Sequence, residues 1–97
     1  MIPPSRNLRE RSIRRWIRDQ QPQNFHRWNQ SGELESRVAD LDQMMLDEFE
    51  GQDEAIMAQL DRDKTWGTQA GMQEYHTKRL RAWSEIAAQY LPTSSVA

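Results

Sequence analysis

Ninety-seven residues suit a single domain, and at that length folding buries only about two-thirds of the surface the unfolded chain exposes. Apolar residues supply 36% of the chain, charged residues 29%, and the mean hydropathy of −1.00 leaves little material for a core. There is no cysteine, which excludes disulfides and cysteine-based zinc sites, and no apolar run approaches the ~20 residues of a membrane span.

A small core rarely supplies more than about 3–5 kcal/mol. Two readings follow: a slender bundle that leans on its four tryptophans, or a core completed by a second copy or another protein. The net charge of −2 conceals a strong polarity along the chain. Residues 1–30 hold seven arginines against Glu10 and Asp19, a balance of +5. Residues 31–65 hold eleven acids against Arg37, Arg62 and Lys64, a balance of −8, and the remainder is +1. Such asymmetry points to a charged partner or to neutralisation within the molecule.

Helix formers dominate, and no stretch alternates apolar and polar residues over the length of a strand. The fold class is therefore all-α: a small helical bundle or helical hairpin with an additional Arg-rich N-terminal helix, in one domain over 1–97. Residues 1–4 read as a flexible N-terminus without an apolar signal core. A basic helix over 5–21 follows, capped by Ser5 and ended by Pro22, with Leu8, Ile13, Trp16 and Ile17 as its apolar stripe. Residues 22–32 read as a connector in which Asn24 caps a short turn, Phe25 and Trp28 fold back on the core, and Ser31-Gly32 opens the next helix.

The acidic amphipathic helix over 33–62 has the clearest pattern. Leu34, Val38, Leu41, Met45 and Phe49 recur at spacings of four, three, four and four, which is one helical face. Gly51 either breaks this helix or is crossed at a cost of about 1 kcal/mol relative to alanine; the stripe continuing to Ile56 and Leu60 favours one bent helix. A C-terminal amphipathic helix over 66–91 carries Met72, His76, Leu80, Trp83, Ala87 and Tyr90 on one face, capped by Thr65 or Thr68 and stopped by Pro92. A flexible tail occupies 92–97. The short connector Asp61–Gly67 pairs the last two helices antiparallel.

No catalytic, cofactor-binding or metal site is expected. His26 and His76 form no His-x-x-x-His face, and His76 reads as a core or interface histidine. A calcium loop begun at Asp61 fails at its sixth and twelfth positions, occupied by Trp66 and Met72. The carboxylates Asp40, Asp47, Glu48, Glu50 and Glu54 read as a solvated helix face rather than as acid–base catalysts. An enzyme is not expected, and neither is a cofactor.

The sharpest feature is the basic helix. Arg6, Arg9, Arg14, Arg15 and Arg18 fall at spacings that place several on one flank, while Arg11 lies off that group and faces the acidic helix. Self-neutralisation against the acidic helix is the first reading. An acidic protein partner and the phosphates of a nucleic acid are the others, although a chain with pI 5.6 is unlike the usual basic nucleic-acid domain. Trp66, in a polar turn, is a candidate interface anchor. Met44, Met45 and Phe49 are candidates for a homodimeric or partner-completed core. The function expected is a non-enzymatic protein–protein interaction module: an adaptor, assembly subunit or inhibitor, a class rich in accessory and virus-encoded proteins. The alternative is an accessory nucleic-acid-binding subunit that uses the Arg helix. A cytoplasmic, intracellular or virion-associated setting fits the absence of cysteine.

Overall fold

The structure, a computed structural model, describes residues 2–93. Among them are four α-helices and no strand: α1 (Arg6–Gln20), α2 (Pro22–Ser31), α3 (Leu34–Arg62) and α4 (Gln69–Tyr90). The chain is an all-α small helical bundle, as its composition predicts.

Ser5 stands at the start of α1, but its hydroxyl makes no capping bond. The helix stops at Gln21, whose φ of −135° and ψ of 62° lie outside the helical region that a following proline disfavours. The expected connector over 22–32 is instead a helix. Pro22 occupies a first-turn position, where no backbone N–H is needed. Gly32, at φ 81°, closes α2 rather than opening α3, and the N–H groups of Gly32 and Glu33 both donate to the Trp28 carbonyl. Asn24 caps nothing; its amide donates to the Gln21 side chain.

α3 runs unbroken through Gly51. At the turn into α4, Thr68 and not Thr65 is the cap: Thr68 Oγ1 accepts the Gly71 N–H at 2.9 Å and donates to the Thr65 carbonyl at 2.7 Å. α3 and α4 then pair antiparallel, Asp53 meeting Arg79 and Phe49 meeting the Trp83 ring edge-on at 5.8 Å.

The core gathers Ile13 and Ile17 of α1, Leu34, Val38, Met45 and Phe49 of α3, and Ala82 and Ile86 of α4. Trp16, Phe25, Trp28, Leu41, Trp83 and Tyr90 pack around it, half-buried. The buried line of α4 differs from the expected stripe. It holds Gly71, Ala82 and Ile86, with Tyr75 and Arg79 half-buried, whereas Met72, His76 and Leu80 are exposed. Gly71 is buried against the Thr65 backbone, and Ala82 and Ile86 join the core, so the bulkier stripe lies on the flank. Its C-terminal half, Trp83, Ala87 and Tyr90, still reaches the core; its N-terminal half does not.

The molecule measures 53 × 32 × 17 Å with a radius of gyration of 16.6 Å, against about 12.5 Å for a compact chain of this length. The 29 residues of α3 span about 43 Å. α1 and α2 cover only its N-terminal half, so the α3–α4 hairpin projects beyond them as a two-helix arm. The N-terminal segment, expected to be loose over 1–4, is held: Arg79 donates to the Ile2 carbonyl at 3.0 Å and Arg9 to the Pro4 carbonyl at 2.7 Å. Met1 and the tail residues 94–97 lie outside the described residues. No described helix is long and apolar enough to cross a membrane.

Candidate functional site

Two surfaces of the molecule carry chemistry that the fold itself does not consume. The first is the Arg-rich face of α1. The helix lies antiparallel to α3, so that Arg9 meets Asp42 and Arg14 meets Glu35. Arg9 Nε and Nη2 lie 2.8 and 3.1 Å from the two oxygens of buried Asp42, a bidentate pair. The Asp42 carboxylate raises the Arg9 pKa above its ordinary value. Arg14 makes a second fork to exposed Glu35 at 2.9 and 2.6 Å, which raises the pKa of Arg14 and lowers that of Glu35.

Self-neutralisation therefore involves Arg9 and Arg14. Arg6 pairs with Glu10 one turn along α1, and Arg18 with its neighbour Asp19. Arg11, expected to face the acidic helix, is exposed; the helical period puts Arg9 on the α3 side and Arg11 away from it. Among the described residues, Arg11 and Arg15 lie within ion-pair distance of no carboxylate.

The second surface is the projecting arm. Trp66 at its tip is 46% exposed, its ring edge-on to Tyr75 at 5.2 Å. On the flank of α4, Leu80 is 54% exposed and Met72 and His76 are also open. His76, read from the sequence as a core or interface histidine, is exposed, its ring tilted against that of Tyr75 at 5.9 Å between centroids. Of Met44, Met45 and Phe49, expected to form a homodimeric or partner-completed core, Met44 alone is exposed, at 53%. Met45 and Phe49, at 2% and 3%, are spent on the chain's own core: α4 lies against them and removes them from any interface.

Within the arm, Arg79 is the central charge. Its Nε is 2.9 Å from Asp53 Oδ1, a charge contact whose N–H is not aimed along the line between them. The guanidinium lies over the rings of Phe49 and Tyr75 at 5.4 and 5.0 Å. Burial, then the Asp53 carboxylate, raises the Tyr75 pKa; beside Glu48, Tyr90 is raised likewise.

The sequence named the arginines and Trp66 but missed Met72 and Leu80 as surface, because their helical spacing is that of a core stripe. Phe25 shares a groove with the arginines because α2 is a helix. No family model, no curated protein and no solved structure matches this chain.

Proposed function

We propose that this protein is a non-enzymatic interaction module whose α3–α4 arm receives an amphipathic helix with a basic flank from a partner protein. The observation that carries the reading is the apolar flank of Met72 and Leu80, left open where α1 stops. The chain supplies the template itself. α1 is a basic amphipathic helix laid on the near half of α3, and its arginines pair with Glu35 and Asp42. Glu50 and Asp61, both exposed, carry acid into the arm, turned about 80–100° around α3 from the position of Asp42. The far half of α3 therefore carries exposed acids of its own, and a basic helix is the charge complement of such a surface. Trp66 at the tip adds the kind of aromatic side chain that anchors interfaces.

The test uses the full chain with Met72→Glu and Leu80→Glu, both on open positions, against the partner isolated from the native host and purified. Circular dichroism should match the parent, and affinity should fall at least tenfold, since each substitution removes apolar burial and places a charge in the contact. Unchanged affinity would defeat the reading. So would reversible dimerisation by sedimentation that both substitutions abolish, because a second copy would then be the occupant.

A further inference from the structure

Arg11, Arg14, Arg15 and Arg18 line, together with Phe25, a groove of about 440 Å³ between α1 and α2. Arg14 and Arg18 bring their own counter-charges, Glu35 and Asp19. Arg11 and Arg15 do not, and they stand one helical turn apart on the same face of α1. Two like charges at that spacing repel one another and oppose the helix that carries them. An anion seated between them removes the repulsion. The geometry points to a binding groove for phosphate groups, independent of any partner on the arm.

The residue types favour phosphate over a lone carboxylate. Two uncompensated guanidinium charges match one phosphate dianion or two successive phosphodiesters. Each planar fork can donate two parallel N–H bonds to a tetrahedral oxyanion. Half-buried Phe25 closes one wall with an aromatic ring, on which a nucleobase can stack. The groove is small, and the acids of α3 give the molecule a net charge of −2, so a broad duplex footprint is not supported. The shared chemistry is a phosphate group, carried either by single-stranded nucleic acid or by a free phosphorylated small molecule.

Fluorescence anisotropy of a short labelled oligothymidylate with the full chain at low salt tests this, with pyrophosphate and polyglutamate as competitors. Binding should weaken with salt at a log–log slope near −0.7 per phosphate engaged, so roughly −1.4 for two. Arg11→Gln with Arg15→Gln should cut affinity at least tenfold and remove most of that slope. Arg62→Gln with Lys64→Gln, the same charge change at the far end of the hairpin, should change neither. Phe25→Leu should weaken the oligonucleotide but not pyrophosphate if nucleic acid is the source; pyrophosphate competing at equal affinity would assign a small phosphorylated ligand, and either result supports the groove. Polyglutamate competing as well as the oligonucleotide would overturn it, as would an unchanged affinity in the Arg11/Arg15 variant shown by circular dichroism to be folded.

Discussion

Asp42 is buried on α3, and Arg9 reaches it from α1 with both nitrogens of one fork. A buried pair need not add net stability, but removing one partner leaves an uncompensated charge in the interior, which costs about 3–5 kcal/mol. Arg9→Ala and Asp42→Ala should each lower the unfolding free energy by that order, read by urea denaturation. Arg9→Met combined with Asp42→Leu should lose clearly less than either single alanine change, because no orphan charge remains. The tyrosines give a second test at this scale. Tyr75 is raised above its ordinary value of 10.0 by burial and by Asp53, and Tyr90 chiefly by Glu48. A raised tyrosine binds its proton more tightly when folded. Its contribution is therefore whole below the unfolded pKa and is lost as pH rises through the folded one. Stability should fall on the alkaline side of pH 10, and Tyr75→Phe with Tyr90→Phe should flatten that fall relative to the parent.

The helices differ in how openly the sequence announces them. α3 was legible because Leu34, Val38, Met45 and Phe49 satisfy one period and one buried face together. α2 was not, because Pro22 reads equally as a stop for α1 and as the first turn of a new helix, and its ten residues bury no side chain completely. α4 was legible as a helix but not in its rotation. The stripe of large apolar residues predicts one contact face, whereas the residues α4 buries are Gly71, Ala82 and Ile86. The arginine site was half legible: charge and spacing showed the cluster, but which arginine meets α3 depended on the crossing of two helices. Glycine tests that account directly. A methyl group added at Gly71 would run into the Thr65 backbone carbonyl, whereas at Gly51 it would meet nothing. Gly51→Ala should stabilise the protein by about 0.4–1 kcal/mol, the ordinary gain for alanine in a helix. Gly71→Ala should destabilise it despite the same propensity gain, since backbone cannot move aside as a side chain can. Thermal melts of the two variants should shift in opposite directions.

At the scale of the whole molecule, burial is unevenly distributed. The core cluster gathers three helices around Val38, Met45 and Ile86. Beyond Phe49 the arm holds itself together with Leu60, the Asp53–Arg79 contact, the Gly71–Thr65 approach and the ring pair Trp66–Tyr75. Local stability follows the density of buried apolar contacts, so the two regions should open separately. Native-state hydrogen exchange should show backbone amides of residues 36–46 and 82–88 opening only with global unfolding. Those of 54–62 and 70–76 should exchange through a smaller, local opening with a weaker dependence on denaturant, because less surface is exposed. The strap held by Arg79 links the regions: Arg79 grips the Ile2 carbonyl while lying over Phe49, at the boundary between core and arm. Arg79→Leu should therefore lower protection in the arm first and leave the core amides near their parent values. A basic helix docked on Met72 and Leu80 would do the reverse and bring the arm's protection toward that of the core. Equal protection along the whole of α3 in the free protein would mean that the arm is no separate unit and has no uncovered half for a partner to complete.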